Sequence, residues 1–430
     1  MSPETTPRLS ALERLRSILG GSAGNLVEWY DWYAYSVFAI YFAHDFFPKA
    51  DSTARFLDAA AVFALGFFAR PLGAWLLAVY ADKKGRKASL LLSVSGMCLG
   101  SLAVALCPTF AQVGVLSPTL LILARLLQGF SLGGEYGTSA TYLSEMAGAK
   151  HRGFWSSFQY MTLISGQILA LLLLALLRTV LSEAELQAWG WRIPFAVGAA
   201  LALTVFWLRR RIAETSAFKS VEHQDRGKTI WLFLRHPKET AIVLGLTAGG
   251  TAAFYTFTTY MQTFLVNTAG FSKDRASAIN LISLIAMMAF QPVVGFVSDR
   301  IGRKPVLIAF GVLGVAFTWP ILAALAHVRS DATALVLVLA ALAILSCYTS
   351  INAVVKAELF PPEIRALGVA LPYAIANALF GGTAEYVALA FKHAGHESWF
   401  YGYVTAIIAV SLAVYVFMRD TRKHTRIEED

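Results

Sequence analysis

Asp82-Lys83-Lys84-Gly85-Arg86-Lys87 returns as Asp299-Arg300-Ile301-Gly302-Arg303-Lys304, its first residue 217 positions further along a chain of 430. Each copy lies between long apolar runs. A second pair keeps nearly the same offset. Glu145 is followed seven positions later by Arg152, and Glu358 seven positions later by Arg365, 213 positions apart. Two pairs at a shared half-length offset are an internal duplication, and duplication outranks any local reading. In a membrane chain it predicts two similar halves with a cavity shared between them.

The composition requires a membrane. The chain is 57% hydrophobic and 15% charged, with a mean hydropathy of +0.58, whereas a soluble protein carries about a quarter charged residues. Lipid offers the backbone no hydrogen bonds, so helices or a closed barrel are the only solutions. The apolar runs are about 20 residues long, which is helix length. Twelve spans are expected, at 18–43, 57–81, 88–108, 119–143, 153–177, 191–208, 240–266, 277–298, 305–326, 333–357, 366–391 and 399–418. The fold class is therefore an all-α membrane protein with twelve transmembrane helices in two pseudo-symmetric six-helix bundles. Its expected parts are an N-terminal segment 1–17, a first bundle 18–208, a linker 209–239, a second bundle 240–418 and a tail 419–430.

Lys and Arg set the orientation. The N-terminus, the tail and every even-to-odd loop together hold 25, the opposite loops hold 8, and three fall within spans. The bias places both termini and the duplicated loops in the cytoplasm. A pI near 9.4 does not imply nucleic acid, because the charge is strung along short loops and gathered in no aromatic-interleaved patch. Cys98, Cys107 and Cys347 have neither disulfide nor metal spacing. The eight histidines lie in or near loops, and none makes a His-x-x-x-His pair on a span, so no metal and no enzyme is expected.

Charges inside spans cost several kcal/mol when unpaired, which makes them functional candidates. The first span holds Glu28 and Asp31 on one face with Tyr35, and Tyr30 beside them. Two acids close together suit a proton carrier, or they pair with arginines. Arg70, followed by Pro71, is a structural clamp or an anion site whose planar fork suits a carboxylate. Gly129, Gly133 and Gly137 recur every four positions as a bare stripe for close helix packing. Glu135, within that span, needs a neutralising arginine or a proton. Gln159, Tyr160, Tyr255 and Tyr260 are neutral hydrogen bonders that either orient a solute or join helices. Lys356 meets an anionic solute or a carboxylate. Asn377, Gly381 and Glu385 share one face of the eleventh span. Asp82, Arg86, Asp299 and Arg303, extended by Glu145, Arg152, Glu358 and Arg365, form a candidate latch that closes one side of the cavity in one state and releases it in another.

Basic loops of the form D-[KR]-x-G-R-K in twelve spans split six and six resemble the major facilitator superfamily. Gly24-Asn25-Leu26-Val27-Glu28-Trp29-Tyr30-Asp31, Phe67 through Gly73, Arg125 through Glu135, and Trp191 through Phe195 resemble its metabolite–proton symporter branch. Gly134 through Tyr142, Phe158-Gln159-Tyr160, Phe254 through Gln262, Tyr348 through Glu358 and Asn377 through Val387 are similar to the α-ketoglutarate carriers of that branch. One departure is Ala78, where the family usually has a glycine four positions before the loop aspartate; the second copy keeps Gly295. The resemblance implies alternating-access uptake of α-ketoglutarate or a close dicarboxylate together with protons. The siblings for citrate, shikimate or an osmolyte are the alternative, and a membrane enzyme or a passive channel is disfavoured. It further implies Arg70 and Lys356 as the substrate's cations, with Arg125 more peripheral, and Glu28, Asp31, Glu135 and Glu385 as proton candidates. No cofactor is expected beyond the proton gradient. The expected setting is a monomer in the lipid bilayer of a bacterial inner membrane.

Overall fold

The computed structural model describes residues 11–49, 51–84, 86–133, 135–147, 149–210, 233–362 and 364–427, and for 11–24, 78, 81–84, 86–87, 90, 135, 138, 142, 145–146, 149 and 208–209 the backbone alone. The side chains of Asp82, Arg86, Glu135 and Glu145, residues 1–10, and 211–232 of the linker lie outside the described residues.

The twelve-helix expectation holds. The first six helices are α1 (Ala11–Phe46), α2 (Ser52–Lys84), α3 (Arg86–Ala105), α4 (Leu116–Leu132, resumed as Glu135–Met146), α5 (Arg152–Val180) and α6 (Gly190–Trp207). The second six are α7 (Pro237–Asn267), α8 (Lys273–Ile301), α9 (Arg303–His327), α10 (Asp331–Leu359), α11 (Arg365–His393) and α12 (Glu397–Phe417). Several run past the expected ends, because the charged residues at their termini keep helical backbone beyond the apolar core.

Packing repeats with a period of six helices. In the first half α1 packs on α5, α2 on α4, and α3 on α4 and α6; in the second α7 packs on α11, α8 on α10, and α9 on α10 and α12. The halves meet along two seams, α2 against α11 and α5 against α8, each the other's counterpart at the six-helix period. Bundle surfaces expose Leu99, Leu123, Val293 and Val336, as a lipid solvent requires.

Small residues set the closest approaches. A Cβ on Gly129 would meet the Gly66 carbonyl of α2, one on Gly133 the Arg70 carbonyl, and one on Gly137 Ala370 of α11. The glycine stripe therefore packs α4 on both α2 and α11. The glycine of the second basic loop has a different task. Gly302 has φ 102°, a left-handed backbone that side chains resist, and it turns the chain from α8 into α9.

Two helices carry five-residue π-turns, Tyr255–Thr259 in α7 and Asn377–Gly381 in α11. Such turns insert one residue into the helical ladder and cluster at functional sites. A Cβ on Gly381 would meet Asn377 Oδ1 and the Tyr255 ring, each at 2.7 Å, so the two turns pack on one another.

Candidate functional site

Where the halves meet, a cavity is walled by Glu28 and Trp29 of α1, Arg70 of α2, Tyr136 of α4 and Tyr373 of α11. It keeps about 10 Å³, room for roughly one water. Arg70 borders it directly, and a second cation, Lys356, lies against the Tyr136 and Tyr373 rings of its wall. Arg70 is buried, with its guanidinium carbon 4.0 Å from the Phe67 ring centre, 4.1 Å from Trp32 and 4.8 Å from Trp29. Its Nε and Nη2 have no acceptor. The matching position ahead of the α8 proline is Gln291, which is bonded within its own half to Ser346, Thr349 and Ser350, so the duplication has diverged to leave a cation on one side only.

The second cation comes from α10. Lys356 is fully buried. Its Nζ donates to Asn352 Oδ1 at 2.8 Å and to the Tyr136 hydroxyl at 3.5 Å, and lies 4.2 Å from the Tyr373 ring centre. Tyr136 donates to the same Asn352 oxygen at 3.0 Å and stacks on Tyr373 with ring centres 3.6 Å apart. This stack joins the halves beside both cations.

The expected neutral bonders divide. Tyr255 faces Asn377, Tyr33 and Arg70, and Tyr160 faces Tyr373 and Asn352. Gln159 accepts from Ser139 at 2.7 Å, leaving its Nε2 without an acceptor. Asn377 Oδ1 accepts from Thr251 at 2.7 Å, and its Nδ2 has no acceptor. Two residues lie elsewhere. Tyr30 donates to the Pro194 carbonyl at 2.9 Å, tying α1 to α6. Tyr260 packs on Phe264 and Phe400, at the far end of α7.

The acids separate as well. Glu28 lies on the cavity wall with Arg70. Asp31 is buried inside the first bundle, where it accepts from Ser101 at 2.5 Å and from Gln128 Nε2 at 2.6 Å. Arg125 donates to Gln128 Oε1 at 2.9 Å, so the amide bridges a cation and an acid. Arg125 is fully buried. Its guanidinium lies 4.0 Å from the Trp32 ring centre, over the same indole as Arg70. Glu385 accepts from Thr263 at 2.8 Å in the second bundle.

The latch residues assemble on the basic-loop face. Asp299 accepts the backbone N–H of Gly153 at 2.8 Å and of Phe154 at 2.9 Å, across the α5–α8 seam. Arg303 pairs with Asp299 at 2.9 Å and approaches Glu358 at 3.7 Å, and Arg152 approaches Glu358 at 3.9 Å. The duplicated pairs therefore cross, with the arginine of the first facing the glutamate of the second. Arg365 donates to the carbonyls of Ala357, Phe360 and Arg426. The tail is stitched into this cluster. Thr421 donates to Glu358 at 2.5 Å, the Arg426 N–H to the Glu358 carbonyl at 3.1 Å, and Arg152 to Thr425 at 3.4 Å. Trp32, Tyr33, Tyr136, Asn352 and Tyr373 had not been singled out as site residues from the sequence; their only signal is a polar tip in an apolar span.

Two duplicated bundles closed around a buried cationic cavity, with charged latches at the seam, are the build of a secondary transporter. The chain belongs to the sugar (and other) transporter family of the major facilitator superfamily, whose sequence pattern matches residues 18–235 and 210–428. It is 50% identical to the alpha-ketoglutarate permease of Escherichia coli K12 over 416 residues, 96% of each chain. It is 34% identical to a citrate-proton symporter of Klebsiella pneumoniae, covering 88% of this chain and 85% of that one. Its fold matches the proton:xylose symporter XylE with a TM-score of 0.78 at 19% identity, over 98% of this chain and 99% of the other.

Proposed function

We propose that the chain carries α-ketoglutarate, or a dicarboxylate very like it, into a bacterial cell together with protons. The observation that carries this reading is the pair of buried cations at the Tyr136–Tyr373 stack, Arg70 on the cavity wall and Lys356 against the rings. Arg70 and Lys356 come from opposite halves and are both buried, with Glu28 the acid that shares Arg70's wall. A dianion spanning the cavity offers one carboxylate to each. Holding both ends requires the halves to close, which is the condition for alternating access. Citrate would need a third cation, and Arg125 is engaged with Gln128. A zwitterionic osmolyte would bring its own positive charge against these two.

Asp31 is the acid best placed to carry the proton. Its protonation removes the negative charge that faces Arg125 through Gln128. Arg125 and Arg70 share the Trp32 indole, so a shift of one guanidinium moves the surface on which the other rests. The carrier works without a cofactor, on the proton gradient alone, as a monomer in the inner membrane with both termini and the basic-loop face in the cytoplasm. The halves are residues 18–208 and 240–418.

The test is uptake of labelled α-ketoglutarate into proteoliposomes with and without an inward proton gradient, against unlabelled citrate, succinate and proline. Gradient-dependent accumulation is expected, yielding to close dicarboxylates. Arg70→Ala and Lys356→Ala should each cut it by at least about a hundredfold, the scale of stranding one buried charge partner. Asp31→Asn should exchange substrate across the membrane without concentrating it. Normal uptake by both cation variants removes them from the site.

A further inference from the structure

The two buried cations differ in what surrounds them. At the Lys356 end one ammonium is met by aromatic faces and by two acceptors, Asn352 Oδ1 and the Tyr136 hydroxyl. At the Arg70 end there is a surplus of donors. Arg70 Nε and Nη2, Asn377 Nδ2 and the hydroxyls of Tyr33 and Tyr255 are buried without a hydrogen bond of good geometry. Tyr255 faces the other three, so they address one place. They come from α1, α2, α7 and α11, two helices of each half, and the π-turns of α7 and α11 hold Tyr255 and Asn377 there. The amide oxygen that would have accepted from a neighbour is already taken by Thr251.

Each orphaned buried donor costs on the order of 1–3 kcal/mol. A cluster of them fits a ligand that brings acceptors and no hydrogens. A carboxylate satisfies the guanidinium fork by itself, through two parallel bonds. That leaves the Asn377 amide and two phenols for one more acceptor next to that carboxylate. A 2-oxo acid carries one, with its carbonyl oxygen on the adjacent carbon. A 2-amino acid presents ammonium hydrogens there, facing Arg70, and a saturated acid presents nothing.

We infer that the carrier reads its substrate by orientation: the 2-oxo-carboxylate end docks on Arg70 with its keto oxygen received by Asn377, Tyr33 and Tyr255, and the distal carboxylate docks on Lys356. Tyr33 is then a specificity-determining residue. The inference rests on the dicarboxylate reading above.

The test compares α-ketoglutarate with glutarate, its saturated counterpart of equal length, as competitors of labelled uptake in proteoliposomes. The wild-type chain should prefer the oxo acid by at least tenfold. Asn377→Leu should lower that preference by about tenfold, and Tyr33→Phe and Tyr255→Phe each by a few-fold, in keeping with the loss of one hydrogen bond to a polar ligand atom. Tyr33→Phe deletes one oxygen and keeps the ring, so it serves if the leucine variant fails to insert. If the wild type takes up neither acid, the dicarboxylate reading falls and this inference with it. If the wild type takes up the dicarboxylate and the variants keep its preference ratio, only the orientation falls. An equal loss for both acids likewise overturns it, because the cluster then supports the fold and does not read the keto group.

Discussion

The two faces of the molecule are closed by opposite kinds of chemistry. On the basic-loop face Asp299, Arg303, Glu358 and Arg152 are all buried and bonded to backbone, to one another and to the tail. On the other face the halves are joined by Lys273 with Glu183 at 2.6 Å, by Arg178 with Asp274, and by His393 with Asp51 at 3.4 Å. Every one of these three pairs has a partner about half exposed or more. Exposed ion pairs are worth about 0–1 kcal/mol, while breaking a buried pair from one side costs about 3–5 kcal/mol. The basic-loop seam is therefore the firm closure and the other the loose one. At rest the cavity should open first to the face without the basic loops.

The comparison breaks most visibly at Glu358. Glu358→Ala leaves Arg303 and Arg152 in a buried seam without their shared carboxylate, at a cost of about 3–5 kcal/mol to the closed basic face. Labelling of a cysteine placed in the central cavity should switch its access to the basic-loop side, with uptake falling at least tenfold. Unchanged access would mean that the seam is held by packing. A smaller effect sharpens the contrast. Lys273→Gln or Glu183→Gln should change the same access by about 1 kcal/mol or less, and the difference should fade in high salt. Reversing both charges together should restore it.

The smallest effect belongs to Asp51. This exposed carboxylate accepts the N–H groups of Thr53 at 3.1 Å and Ala54 at 3.0 Å at the start of α2. The Thr53 bond first, then Ala54 and the neighbouring His393, hold it below its ordinary range. A depressed carboxylate stabilises the fold above its unfolded pKa, and the contribution disappears as pH falls through the lower folded value. Melting of Asp51→Asn should therefore differ slightly from wild type at neutral pH and converge with it in acid.

Much of this architecture was visible in the residues themselves. Charges within apolar spans stand out, and Arg70, Lys356 and Asp31 were found because burying them unassisted is costly, Asp299 because its loop is repeated. The repeat predicted the two halves. What pairing costs does not reveal is who pairs. The crossing of Arg152 to Glu358 joins residues 206 positions apart, and only the seam brings them together. Trp32 and Tyr373 were invisible for a different reason. An aromatic side chain in a membrane span reads as packing, and its role as a platform for a cation depends on which helix faces it. The π-turns were equally hidden, since the extra residue that aims Tyr255 and Asn377 leaves no compositional trace.

The tail carries a practical consequence. Thr421 and Arg426 hold on to Glu358, and Ile427 is buried beside them. An affinity handle or fluorescent protein fused directly behind Ile427 would tug on the residues that keep the basic-loop door shut. Preparations tagged there could differ in conformation from those tagged at the other end, so the handle belongs at the N-terminus or behind a generous spacer.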